Sequence, residues 1–166
     1  GTVRDELVEK AFEQIREYLS QYRFDPNYPR VLSKLIQEVL SELESSSAIA
    51  RASGLAQPGL APRTSRRDFL LLADQRDRDI LENILTTIKL DLPGGGELEL
   101  PILYELECWG GVVARSADRQ IVSINTLESR LERATPFLRR YLAAYFESAF
   151  SKDELSEADE RLNARL

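Results

Sequence analysis

The chain has 166 residues, 43% of them apolar and 30% charged, with 28 acidic against 22 basic side chains and a net charge of −6. That length and apolar share fit one domain with a real core, or one domain with an arm. The acidic balance argues against a general nucleic-acid binder, and no run of about 18 apolar residues is present to span a membrane. The chain has no histidine, which removes histidine acid–base chemistry, Ser-His and Cys-His nucleophile pairs and most zinc sites. Its single cysteine, Cys108, can form neither an internal disulfide nor a Cys-x-x-Cys knuckle. It has no methionine and begins at Gly1, which suggests an excised piece with native sequence ahead of Thr2.

Residues 1–47 read as a helical hairpin. Val3, Leu7, Val8, Ala11, Phe12, Ile15, Tyr18, Leu19 and Tyr22 recur at helical spacing. Asp25-Pro26-Asn27 breaks the run, and Pro29 suits the first turn of a second helix. Leu32, Leu35, Ile36, Val39, Leu40 and Leu43 give that helix one apolar face, and Ser45-Ser46-Ser47 is expected to end it. The first helix shows a wide apolar face and no start signal, as the end of a longer helix would. Residues 48–66 then form a basic loop. Positions 48–67 carry four arginines and no acid, with Gly54, Pro58, Gly59 and Pro62 among small residues. The loop reads either as solvated slack or as a contact patch for an acidic surface.

An α+β domain is expected over 67–150. Phe69–Leu72 is a short unbroken apolar run, the mark of a buried strand. Asp74 and Asp77 would cap and charge the next helix, whose face is Ile80, Leu81, Ile84, Leu85 and Ile88. After Pro93–Gly96, Leu98, Leu100, Ile102, Tyr104 and Leu106 alternate with mostly polar residues, so a half-buried strand follows. Pro101 places that strand at an edge or bend. Gly110-Gly111 makes a break. Val112–Ala114 and Ile121–Ile124 read as a hairpin turning near Ala117–Arg119. Asn125 with Glu128 three places on reads as a capping box for the next helix, in which Pro136 should force a kink or a new start capped by Thr135. Leu127, Leu131, Leu138, Tyr141, Leu142, Tyr145, Phe146 and Phe150 keep helical spacing there. Residues 151–166 form a charged tail, helical or frayed. The whole reads as a helical hairpin followed by a roughly four-stranded mixed sheet packed with helices, in the order β-α-β-β-β-α.

Candidate chemical sites fail on inspection. Pro93-Gly94-Gly95-Gly96 follows a helix and precedes a strand, the reverse of a phosphate loop, and lacks Gly-Lys-Ser/Thr. Asp74, Asp77, Asp79 and Glu82 lack a calcium-loop pattern and read as helix-start acids exposed to solvent. Glu97, Glu99, Glu105 and Glu107 line the polar face of a strand, where they keep an edge soluble. Cys108 has no activating histidine and reads as a core residue, and Trp109 reads as core or partner contact. No residue set supports catalysis, and no cofactor or metal site is expected.

Residues 107–134, Glu-Cys-Trp-Gly-Gly-Val-Val-Ala-Arg-Ser-Ala-Asp-Arg-Gln-Ile-Val-Ser-Ile-Asn-Thr-Leu-Glu-Ser-Arg-Leu-Glu-Arg-Ala, carry a resemblance. The string resembles the C-terminal domain of the E subunit of vacuolar-type and archaeal-type rotary ATPases. The matching positions are Gly110, Gly111, Val112, Val113, Arg115, Ser116, Asp118, Asn125, Thr126, Leu127, Glu128, Arg130 and Leu131. The stretch Phe69–Leu85 and the helix Phe137–Phe146 look similar to the family more weakly. Arg119 stands where the family has a hairpin glycine, and the loop 48–66 and the tail look longer than usual. The resemblance implies a non-catalytic stator subunit, cytoplasmic and peripheral to a membrane-bound complex, moving protons or sodium with ATP synthesis or hydrolysis. It implies pairing through helices with a second peripheral-stalk subunit and anchorage to a nucleotide-binding subunit of the catalytic head. Neither nucleic acid nor membrane insertion is expected. By that layout Leu7, Ala11, Phe12, Ile15 and Tyr18 are candidates for the partner interface, although the same stripe could pack on the domain itself. Competing readings are a scaffold of flagellar or type III export ATPases, an unrelated small α+β binding domain, a small hydrolase using the acid clusters, and a homodimer through the first helix.

Overall fold

The computed structural model describes residues 2–52, 69–91, 100–116, 122–150 and 152–165. It opens with the expected helical hairpin, α1 (Val3–Ser20) and α2 (Tyr28–Ala52), joined through a 3-10 turn at Tyr22–Phe24. The start of α1 is capped, contrary to expectation. The Thr2 hydroxyl accepts the Asp5 N–H at 3.1 Å and the Asp5 carboxylate accepts the Thr2 N–H at 3.4 Å, a capping box with Asp in the acidic position. Asp25 shapes the break, its carboxylate accepting the Asn27 N–H at 2.8 Å and its carbonyl the Tyr28 N–H at 3.0 Å. The three serines do not end α2, which runs on to Ala52. Serine is only a mild helix opponent, and no glycine or proline stands at 45–47.

The sheet is mixed, with strand order β2-β1-β3-β4. Strand β1 (Phe69–Ala73) is central, as its unbroken apolar run requires. It leads through a 3-10 turn at Gln75–Asp77 into α3 (Arg78–Asp91), and the chain returns as β2 (Ile102–Leu103), parallel to β1. Then β3 (Gly111–Ser116) pairs antiparallel with β1, and β4 (Val122–Thr126) pairs antiparallel with β3. The expected hairpin is therefore present, while its turn near 117–119 lies outside the described residues, as do 53–68 and 92–99. Strand β2 sits at the sheet edge, where Pro101 can lack an N–H without cost. The Pro101 carbonyl still accepts the Leu71 N–H at 2.9 Å. The paired part is only two residues, shorter than the alternation suggests. The alternation itself survives in burial, with Leu100, Ile102, Tyr104 and Leu106 turned inward and Pro101, Leu103, Glu105 and Glu107 outward.

Helices α2 and α3 cover one face of the sheet. Leu32, Ile36 and Val39 of α2, Leu81 of α3 and Leu71, Val112 and Ala114 of the sheet form one fully buried cluster. Helix α4 (Leu127–Ala149) follows β4 directly and packs lengthwise on α1, and α5 (Lys152–Arg165) also reaches α1. Pro136 neither kinks α4 into two helices nor starts a new one. The Thr135 hydroxyl donates back to the Leu131 carbonyl at 2.7 Å, so Thr135 is an interior residue and not a cap. The bond lost at Pro136 is offset by α1, which grips α4 beyond the proline. Arg139 of α4 pairs with Glu9 and lies 4.8 Å over the Phe12 ring, and Glu147 pairs with Arg4.

Candidate functional site

The centre of the molecule is a buried charge lock where the helical hairpin, the start of α3 and the entry to β3 meet. Arg23, from the turn between α1 and α2, donates through Nε to Asp77 Oδ1 at 2.8 Å and through Nη2 to the Cys108 carbonyl at 2.9 Å. The Tyr28 hydroxyl donates to Asp77 Oδ2 at 2.7 Å and accepts the Gly111 N–H at 3.1 Å. Asp77 and Tyr28 are fully buried. Beside them Asp74 accepts from Arg76 at 2.8 and 3.0 Å and from the Cys108 N–H at 3.2 Å, with Arg23 Nη2 3.4 Å away. A buried carboxylate is tolerable only when paired and hydrogen-bonded, and here Asp77 is both. Burial, and then the bond to Asp77, push the Tyr28 hydroxyl well above the usual phenol range, so it stays a donor.

By sequence pattern Asp74 and Asp77 are solvent-exposed helix-start acids. Asp74 does cap the 3-10 turn, accepting the Arg76 N–H at 3.0 Å, but both carboxylates are buried. The physical reason is Arg23, which stands 54 positions before Asp77 and carries no local signal of a partner. The hydrogen bonds from Arg76 hold the Asp74 carboxyl well below its usual range, against the opposing effect of burial. A carboxyl whose pKa falls on folding stabilises the fold above its unfolded value of about 4, and this contribution is lost as the pH drops toward the folded value. Melting temperature should therefore fall on acidification below about pH 4, and Asp74→Asn should flatten that part of the profile, as thermal scans across about pH 2–6 would show.

The residues of the 110–131 string fall around this lock. Gly110, Gly111, Val112, Asn125, Thr126 and Leu127 are buried, Val113, Arg115, Glu128 and Leu131 half-buried, and Arg130 exposed. Gly110 lies against the Tyr28 ring, where an added Cβ would come within 2.7 Å of Cε1. Gly111 has φ of +107°, and a Cβ there would sit 2.3 Å from the Asn125 carbonyl oxygen. Two expectations need correction. Asn125 is not the cap of α4, because it still pairs with Val112 inside β4. Its amide instead donates to the Leu35 carbonyl at 2.9 Å and to Glu38 at 3.1 Å, tying β4 to α2. Thr126 is the cap, exchanging bonds with Ser129 at 3.2 and 3.0 Å, while Glu128 accepts the Trp109 N–H at 2.9 Å. The strand simply runs two residues further, to Thr126, than its sequence pattern suggests. Thr126→Ala should cost about 1 kcal/mol as a lost cap, and Asn125→Ala about 1–3 kcal/mol because it removes the buried amide that bonds β4 to α2. Urea titrations of the two variants would rank them, and equal costs would count against this assignment.

The lock has no reactive member. Burial, followed by nearby Glu128, pushes the Cys108 thiol up to about 11, so little thiolate exists at neutral pH. Among the described residues no group of three acidic, cysteine or histidine side chains is placed to hold a metal ion. Trp109 packs half-buried against the core. Outward-facing surfaces are more telling. On α1, which packs on the chain's own α4 and α5, Phe12 is buried, Leu7, Ala11 and Ile15 are half-buried, and of the five candidates only Tyr18 is exposed, at 61%. On the sheet face opposite α2 and α3, Leu103, Leu72, Val113 and Ile124 lie in register across all four strands. On α4, Tyr141 and Tyr145 are exposed together with Phe137, although their spacing alone suggests core. Eight apolar positions exceed what one helical face can bury, and Leu131, Leu138 and Leu142 hold the inner side.

Fold and lock together define a scaffold class, an α+β domain whose buried charges bind a helical arm rigidly to a sheet. In sequence the chain resembles the E subunit of A-type ATP synthases. It is 30% identical over 135 residues to the A-type ATP synthase E subunit 2 of Methanospirillum hungatei, covering 80% of this chain and 53% of the relative. It is 27% identical over 141 residues to the A-type ATP synthase E subunit of Thermococcus gammatolerans, covering 85% of this chain and 58% of the relative. The corresponding protein of Thermococcus kodakarensis is 26% identical over 141 residues, 85% of this chain and 60% of the relative. The chain thus spans between about half and three-fifths of the length of these curated relatives. No family model matches it. Among the described residues no helix is long and apolar enough to cross a membrane.

Proposed function

We propose that this chain is the C-terminal part of a non-catalytic peripheral-stalk subunit of an A- or V-type rotary ATPase. The observation that carries this reading is the similarity to three A-type ATP synthase E subunits over 80–85% of the chain. On this reading the helical hairpin, which continues to Ala52 and not to position 47, carries the stalk side, 67–150 is the head-binding domain, and the rest of 48–66 and 151–166 are accessory. As a stator the domain pairs through helices with a second stalk subunit and holds a nucleotide-binding subunit of the head against rotation. It works in the cytoplasm at the rim of a membrane-bound complex. The lock suits that role physically, since a part loaded at every catalytic step must transmit force without its helical arm parting from its sheet. Gly110, Gly111, Asn125, Thr126 and Glu128 serve structure, each holding the hairpin, β3 or α4 to its neighbour. Arg130 pairs with Glu38 of α2 at 2.7 Å in the same sense.

The test is affinity purification of the tagged chain, in its native full-length context, from detergent-solubilised membranes of the source organism. Recovery of rotary ATPase head and stalk subunits is the predicted result. Recovery of an export ATPase, or of no ATPase component, would contradict it.

A further inference from the structure

Helix α4 has two flanks, one of them occupied by α1. Its inner flank holds α1, itself acidic and amphipathic, with Asp5, Glu6, Glu9, Glu13 and Glu17 against Arg4, Lys10 and Arg16. That contact combines apolar packing around Phe12 with the Glu9–Arg139 pair and the cation stacked on the Phe12 ring. The outer flank repeats the α4 half of this arrangement and has no described occupant. Phe137, Tyr141 and Tyr145 stand there one turn apart, 62%, 59% and 54% exposed. They form a stripe roughly 12 Å long at about 1.5 Å per residue. Phe137 and Tyr141 already stack on each other at 6.4 Å.

Arg133 and Arg140 flank the stripe seven positions apart, on the same side of the helix. Arg140 has no carboxylate partner among the described residues, and Arg133 reaches only the neutral Asn125 amide oxygen at 3.4 Å. By the same spacing Glu147, seven positions after Arg140, shares this side, but its carboxylate is already engaged. The carboxylates nearest the stripe, Glu147 and Glu38, are paired with Arg4 and Arg130, so in a chain of net charge −6 an exposed aromatic stripe beside Arg133 and Arg140 is complementary to the opposite pattern.

We infer that the outer flank of α4 is the docking site of an acidic amphipathic helix from a partner polypeptide, which would lie on α4 opposite α1. Its apolar positions cover the aromatic stripe, and its carboxylates reach Arg133, Arg140 and the tyrosine hydroxyls. The inference rests on the helix-pairing part of the stalk reading, to which it gives a face and a chemistry. It is tested without any stalk protein, so its failure would leave the purification result above to judge that reading separately.

The probe is a fluorescein-labelled synthetic helix of about six turns, with leucines along one stripe and glutamates on both sides, and a twin carrying lysines for the glutamates. Anisotropy titration with the full chain should show saturable binding of the acidic helix, weakening with salt, and much weaker binding of its twin. F137S/Y141S should reduce affinity at least tenfold. R133Q/R140Q should reduce it several-fold and flatten the salt dependence. All these residues are exposed, so the melting temperature should stay near that of the parent. No binding, equal binding of the lysine twin, or binding indifferent to both double variants would overturn the inference. Concentration-dependent dimerisation that F137S/Y141S abolishes would also overturn it, because the occupant would then be a second copy.

Discussion

Asp77→Ala is expected to destabilise the chain by about 3–5 kcal/mol, because it leaves the Arg23 guanidinium buried without its counter-ion. The guanidinium would keep only the Cys108 carbonyl and a more distant contact with Asp74. The Tyr28 hydroxyl would lose its acceptor in the same step. For a chain of this size the melting temperature should fall by roughly 10 °C. The double variant Arg23→Met/Asp77→Leu separates two meanings of that loss. If most of the cost is an orphaned charge, the double variant recovers much of the stability, since well-packed apolar substitutes for a buried ion pair are often close to neutral. If the double variant costs about as much as either single one, the pair itself is the stabilising element, and if the two losses add, each residue acts through its other contacts. Urea unfolding of the parent, both single variants and the double variant decides between them.

Gly111→Ala should be comparably severe, at about 2–6 kcal/mol, from two effects that add. A φ of +107° lies where L-residues are strained by about 1–3 kcal/mol, and overpacking against fixed atoms costs about 1–3 kcal/mol more. The atoms it would strike are backbone, the Asn125 carbonyl oxygen at 2.3 Å and the Thr126 Cα at 2.7 Å, so no side chain can swing away. Relief requires parting β3 from β4 at the end that launches α4. Gly110→Ala meets the Tyr28 ring instead, and a shift there would disturb the bond to Asp77. Circular dichroism melts of both variants should show Gly111→Ala at least as damaging as Gly110→Ala.

Most of the local structure is legible in the sequence, and little of the lock. Spacing finds the helical hairpin, an unbroken apolar run finds the central strand, and short apolar runs with a turn signal between them find the β3–β4 pair. Pro101 places β2 at the edge, since a missing N–H is a local property. Where sequence reasoning fails, a contact from far along the chain decides the outcome. Asp77 carries the pattern of an ordinary helix-start acid, and only the fold brings Arg23 and Tyr28 to it. Asn125 carries the pattern of a cap, yet the paired strand extends through it and hands capping to Thr126. Pro136 stays inside α4 because α1 grips the helix beyond it. Tyr141 and Tyr145 keep core spacing but lie outside, because α1 covers one side of α4 only. The interface candidates on α1 divide in the same way: Phe12 belongs to the chain's own core, while Tyr18 remains free.

The most direct test of the stator reading is a binding titration between the full chain and a purified A-type ATPase head, with Asp77→Ala as a partner measurement. The stator reading predicts saturable binding that persists with and without ATP and weakens when the lock is broken, because a loosened domain cannot present its faces in register. No saturable binding by the folded parent chain would contradict it.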